Sequence, residues 1–266
     1  MEAASGLAAE KLLTAPDRPC AALADQFDLG AILEFSGAVP IWESAVRTGR
    51  RPAQSIPQNQ KLFHGTTDAA THYFNGIRKL ALRNAPQLFE ALSARRVQFG
   101  RVLDLGAGTG DYAAAMIDRG IARDVLCVDQ QYVIDLPARQ RRSSLRWQAA
   151  DLRRLSLPSE EPFDAVWISN VLHHYSARTD AEILRRCARN LASDGSLLIH
   201  EYLLDGAGTQ ALAAGVLGLH FALTTGGGRC YSLQELLDLC ARATPFNSIE
   251  FSLTLPISTV VILRRG

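Results

Sequence analysis

Arg101-Val-Leu-Asp-Leu-Gly-Ala-Gly-Thr-Gly110 decides how this chain is read. Val102, Leu103 and Leu105 form an apolar strand that runs into a loop with glycines at 106, 108 and 110. The spacing predicts a helix from Asp111 to Arg119, ended by Gly120. Glycines let the backbone approach a ligand where a Cβ would collide. The helix start behind them aims free N–H groups at a carboxylate or phosphate. A dinucleotide fingerprint spaces its glycines Gly-x-Gly-x-x-Gly, whereas this loop reads Gly-x-Gly-x-Gly.

An acid, Asp104, lies two residues before the first glycine. Acid plus spacing is the usual form of a loop for S-adenosylmethionine (SAM). Asp104 is expected to receive the cofactor's ammonium, directly or through water, with Gly106, Gly108 and Gly110 forming the cradle. In open α/β sheets, ligands sit beyond the carboxyl ends of the strands. Asp129, with Gln130 beside it, ends the second strand and is expected to accept the ribose hydroxyls; Asp135 is a rival. Asp151, after the third strand, either accepts the adenine amino group or caps Leu152–Leu155. Leu152 is expected on the adenine face, and Ser169, where the fourth strand ends, completes the cofactor set.

Composition bounds the class. A chain of 266 residues with 47% hydrophobic and 21% charged residues can build a sizeable core. A net charge of +1 gives no bulk electrostatic case for nucleic acid or membrane, and Arg139–Arg142 reads as a solvated loop. The five cysteines have neither metal nor redox spacing, so reduced thiols in a cytoplasmic protein and no metal site are expected. No secretory signal follows Met1, and the apolar stretch 211–223 is too short and glycine-rich to span a bilayer.

The organisation divides near residue 95. Residues 1–95 read as a helical cap, with Leu62, Phe63, Tyr73, Phe74, Ile77, Leu80 and Leu82 on amphipathic helices and a loop from Gly49 to Pro57. Residues 96–266 alternate strand and helix, which predicts a Rossmann-like, mostly parallel α/β sheet. Strands are expected at Val102–Leu105, Val125–Val128, Leu145–Gln148, Ala165–Ser169 and Leu197–Tyr202. The clearest helix is Asp180–Leu191, closed by Asp194-Gly195. Ile249–Leu255 and Thr259–Leu263, joined at Pro256, read as an antiparallel hairpin, an ending that dehydrogenase domains lack.

The chemistry is expected after strand four, in Ser169-Asn-Val-Leu-His-His-Tyr175. Methyl transfer needs a lone pair aligned behind the methyl carbon. A hydroxyl near pKa 10 is mostly protonated at neutral pH, so a histidine base helps. His173 is the candidate, with a structural histidine as the alternative. A carboxylate must orient it, and Glu201 or Glu235 can do so. His174 reads as a pocket wall. Phe63, His64, His72, Tyr73 and Phe74 either line the acceptor pocket or belong to the core. Cys230 beside Arg229 reads as packing rather than as a reactive thiol.

Beyond single motifs, the chain from Ile32 onward resembles the class I small-molecule O-methyltransferases of plant phenolic and bacterial antibiotic pathways. The resemblance rests on Trp42–Arg50, Tyr73-Phe-Asn75, Asp104–Gly110, Val171-Leu-His173, Ala181–Cys187, Gly195–Glu201 and Gly228–Glu235, in that order. It implies that His173 is the base, that Glu201 and Glu235 flank it, and that the N-terminal helices form a homodimer. The departures are a shortened N-terminal region, His174-Tyr175 in place of Asp-Trp, and Gly76-Ile-Arg78 where the family carries a methionine. O-methylation of a small molecule is the first expectation. C- or N-methylation, recruitment to ring closure, hydroxylation or decarboxylation, and a SAM-bound scaffold are the others.

Overall fold

The computed structural model describes residues 38–50, 67–136, 143–155, 162–244 and 246–265. Leu29, Ile32, Leu33, Phe35, Leu62, Phe63, His64, the Pro52–Pro57 loop and Arg139–Arg142 lie outside the described residues, and of His72 and Tyr73 only the backbone is described. The chain begins with helices α1 (Ala38–Thr48) and α2 (Thr67–Ala94), then enters the alternating unit. Strands β1 (Phe99–Leu105), β2 (Ala122–Asp129), β3 (Leu145–Ala149), β4 (Phe163–Ser169) and β5 (Leu191–Glu201) follow. Between them lie α3 (Asp111–Asp118), α4 (Gln131–Ile134) and α5 (Ala177–Asn190). The chain then runs through α6 (Thr209–Thr224), α7 (Leu233–Ala243), β6 (Phe246–Thr254) and β7 (Thr259–Arg265).

The seven strands form one sheet in the order β3-β2-β1-β4-β5-β7-β6. β1 to β5 pair in parallel, and β7 runs antiparallel between β5 and β6. A parallel sheet is covered on both faces, so both faces of its strands are apolar. One face packs Leu103, Leu105, Val166 and Ile168 under Ile183 and Leu184 of α5 and Leu236 and Leu239 of α7. The other packs Val102, Val125, Ala165 and Trp167 under Leu88, Phe89 and Leu92 of α2 and Met116 of α3. The second half of α2 is thus part of the sheet's own cover. Arg78 of α2 also reaches Asp111, at the start of α3, at 3.3 Å.

The five expected strands and the terminal hairpin are present, each longer than its apolar run. The helix before β5 ends at Asn190, and Asp194-Gly195 lies inside the strand rather than closing the helix. The register explains this: Phe163 faces Leu191, but Ala165 faces Ser196, so the intervening residues bulge.

Candidate functional site

A cavity of about 430 Å³ opens above the carboxyl ends of β1, β2 and β4, where an open α/β sheet binds its ligand. Asp104, Gly106, Gly108, Asp129, Gln130, Asp151, Leu152 and Ser169 all line it. Gly110 does not; it caps α3 with a left-handed backbone, φ 77°. Asp135 is also absent from the wall, and its carboxylate accepts from Gln131.

The glycines serve different ends. A Cβ on Gly106, at φ +70°, would run into the Val171 side chain, so packing excludes it. Gly108, at φ +57°, has only Phe74 near its missing Cβ, at 3.8 Å, and faces the cavity. Its N–H donates to Asp129 Oδ2 at 2.8 Å, and Gln130 N–H donates to Oδ1 at 2.7 Å. These bonds aim the Asp129 carboxylate along the cavity wall. Burial nevertheless raises its pKa to about 6. Asp104 is 2% exposed, and among the described residues no hydrogen bond or ion pair reaches its carboxylate. Burial, then the charge of Asp129, pushes it up to about 8. A buried carboxyl without a cation, on a cavity wall, fits a ligand ammonium. Asp151 is both wall and cap: it accepts from Arg153 N–H at 3.0 Å and grips the Arg153 guanidinium at 2.8 Å, which lowers its pKa.

After β4 the chain must turn sharply into the cavity. Asn170 does so with a left-handed backbone, φ 55°, and a short turn, Leu172–His174, follows. The free N–H groups of Val171 and Leu172 donate to Glu201 Oε1 at 2.9 and 2.8 Å. Its other oxygen bonds His173 Nδ1 at 2.7 Å. Glu201, at the end of β5, is therefore both the cap of the turn and the partner of the histidine. Burial would raise its pKa, but the His173 ring and the three hydrogen bonds pull it below the usual range. With the carboxylate ionised, Nδ1 carries the hydrogen and Nε2 is left with its lone pair.

Glu235 stands elsewhere. It closes a capping box at the start of α7 with Ser232 and pairs with Arg229 at the half-exposed surface. It does not line the cavity; α7 packs with α5 on one face of the sheet, with Glu235 at its outer end. Cys230 is buried against α6, and burial pushes its thiol up to about 12, which suits packing.

Ser169 lines the cavity and bonds His200 Nδ1 at 2.9 Å, and His200 bonds Ser258 at 2.7 Å. His174 and Phe74 line the same cavity. The sequence reading missed Tyr202 and the α6 wall of Leu217, His220, Phe221 and Thr224. In sequence, Ala211–Leu223 reads as an apolar run; the signal is the histidine inside it, His220.

Residues 102–195 match the family model described as a methyltransferase domain. The structure overlays human N-acetylserotonin methyltransferase, solved in complex with SAM, with a TM-score of 0.71 over 89% of this chain and 70% of that one. The chain thus shares the fold of that methyltransferase, and its central segment matches a methyltransferase domain. Sequence identity to that enzyme is 20%. The mitomycin 7-O-methyltransferase MmcR shares the fold at a TM-score of 0.70 and 21% identity, over 97% of this chain and 76% of its own. A curated relative, 3-hydroxy-5-methyl-1-naphthoate 3-O-methyltransferase of Streptomyces sahachiroi, is 26% identical over 209 residues, 73% of this chain and 56% of that protein. An uncharacterized methyltransferase of Staphylococcus carnosus (strain TM300) is 28% identical over 106 residues, 40% of this chain and 49% of that one. The chain spans about half the length of the curated relatives it matches.

Proposed function

We propose that this protein transfers a methyl group from SAM to a hydroxyl oxygen of a small, natural-product-like acceptor, with His173 as the base. The observation that carries the reading is the Glu201–His173 pair on the wall of the cavity that also holds the uncompensated Asp104. SAM would supply a methyl group on a sulfonium, already activated for displacement. Asp104 would hold its ammonium, Asp129 the ribose hydroxyls, and Asp151 and Leu152 the adenine. His173 Nε2 would take the proton of the acceptor hydroxyl, and ionised Glu201 would stabilise the imidazolium. Ser169 would contribute to the cofactor wall beside Asn170. The naphthoate 3-O-methyl transfer named for the Streptomyces relative supports an oxygen on an aromatic acceptor.

Calorimetry tests this directly. SAM or its demethylated product, S-adenosylhomocysteine (SAH), should bind at micromolar strength. Undetectable binding of both by folded protein overturns the reading. His173→Ala should keep the cofactor affinity but slow turnover by about 10²–10⁴-fold.

The same reading extends to assembly and location. We infer a cytoplasmic homodimer built through residues 1–95, because Val46 of α1 and Leu82 of α2 stand 84% and 55% exposed. Light scattering at micromolar concentration should give twice the chain mass, and a clean monomer defeats the inference. No helix among the described residues is long and apolar enough to cross a membrane.

A further inference from the structure

Glu201 holds the ring of His173, but a second element holds its backbone. The His173 carbonyl accepts from Arg229 N–H at 3.0 Å. Gly228, one residue earlier, is buried. A Cβ built on it would run into that same carbonyl oxygen and into Thr225 Oγ1, and would stand 3.1 Å from the His174 carbonyl carbon. No side chain fits there, so the loop from Thr225 to Tyr231 meets the histidine turn main chain against main chain.

Both ends of this loop are anchored. Thr225, just past the end of α6, donates its hydroxyl to the Phe221 carbonyl at 2.7 Å and accepts Gly228 N–H at 2.7 Å. Phe221 in turn stacks on the His173 ring at 4.0 Å and 15°. At the far end Tyr231 bridges to Leu203, two residues beyond Glu201, and its carbonyl accepts Leu204 N–H at 2.9 Å. The Tyr231 hydroxyl donates to Asp180 of α5 at 2.6 Å. The three groups that fix His173 are therefore tied to one another: Glu201 at the ring nitrogen, Phe221 at the ring face and Arg229 N–H at the carbonyl. We propose that Thr225 and Gly228 are positioning residues for His173: the Thr225 hydroxyl ties α6 to the loop, and the bare Gly228 lets the loop grip the turn. The consequence for catalysis rests on the methyl-transfer reading above, in which His173 is the base. A base displaced by about 1 Å loses about 10²-fold in rate.

The test reads His173 in Gly228→Ala, Thr225→Val and Thr225→Ser, with Leu239→Ala, in the core under the sheet, as a control for lost stability alone. Proton and nitrogen-15 NMR follow the Nδ1 hydrogen shared with Glu201. Gly228→Ala and Thr225→Val should move that resonance upfield and speed its exchange with water, because the bond to Glu201 lengthens. Thr225→Ser keeps the hydroxyl and should keep the wild-type resonance. SAH affinity should stay within about twofold in Gly228→Ala, since Gly228 does not line the cavity. Its turnover, with an acceptor that the wild type methylates, should fall about 10²-fold. A merely structural loop would lower the denaturation midpoint and leave the His173 resonance in place, as in Leu239→Ala. That outcome in folded Gly228→Ala and Thr225→Val overturns the proposal, and so does a Thr225→Ser shift as large as that of Thr225→Val. Where Gly228→Ala does not fold, the Thr225 pair decides. A wild type that binds neither SAM nor SAH defeats the methyl-transfer reading instead, and the resonance on the free protein still decides this one.

Discussion

Replacing Glu201 by Gln changes one atom and separates the two tasks of this residue. The carboxylate accepts three hydrogen bonds: Val171 N–H at 2.9 Å, Leu172 N–H at 2.8 Å and His173 Nδ1 at 2.7 Å. An amide has one oxygen, so it must choose. If the amide oxygen turns to His173, the NH₂ group faces two backbone N–H donors, and each buried donor left unmade costs about 1–3 kcal/mol. If the oxygen keeps the two backbone donors, the NH₂ faces Nδ1, and His173 need only move its hydrogen to Nε2. A tautomer change costs far less than two buried donors, so the second arrangement wins. The fold is then preserved, but Nε2 carries a hydrogen and cannot act as a base. Turnover should fall by about 10²–10⁴-fold, the scale of losing a base or its tautomer. The denaturation midpoint and SAH affinity should stay near wild type. Nitrogen-15 NMR of the His173 ring reads the tautomer without any acceptor: hydrogen on Nδ1 in the wild type, on Nε2 in Glu201→Gln. A variant that keeps hydrogen on Nδ1 and turns over as fast as wild type would refute the reasoning.

Other perturbations separate packing from ligand contact. Gly106→Ala should cost about 2–4 kcal/mol in chemical denaturation, because its Cβ meets Val171 on a left-handed backbone. Gly108→Val meets only Phe74 but puts a side chain on a left-handed backbone, so the protein should lose about 1–2 kcal/mol of stability, still fold, and lose SAH in calorimetry; retained affinity would remove the loop from the binding site. Asp104 is raised from 3.8 to about 8 by burial and by Asp129. Between those values the folded state holds the extra proton, so its contribution to stability falls as pH rises through the window. A bound ammonium reverses the preference: SAM affinity should rise by up to tenfold per pH unit toward pH 8, with proton release visible in buffers of different ionisation enthalpy. A flat pH profile with Asp104 intact would mean that another group meets the ammonium.

Much of this molecule is legible in its residues because the relevant physics is local. Apolar strands flanked by glycine loops and capped helices read directly from spacing, as did Asp104, Asp129 and Ser169, which stand at the ends of such strands. The terminal hairpin read from alternation about Pro256. Strand lengths did not: Phe99 pairs with Ala122 through backbone groups that carry no side-chain signal. Helix closure near residue 194 failed for the same reason, since the bulge is set by how β5 meets β4.

The carboxylate partner of His173 is where sequence alone left two candidates, Glu201 and Glu235. Each follows an apolar or capping pattern that fits its own element. Only the sheet register brings the end of β5 beside the turn after β4, with Ser169 opposite His200 and Glu201 next in line. The same packing sends Glu235 to an exposed capping box and puts His220 on the cavity wall. Sequence by itself determined the fold class and the cofactor loop, because a strand, a glycine turn and a helix start are set by neighbours a few residues apart. Which distant side chains meet was decided by tertiary structure, because strand order and helix packing set those contacts.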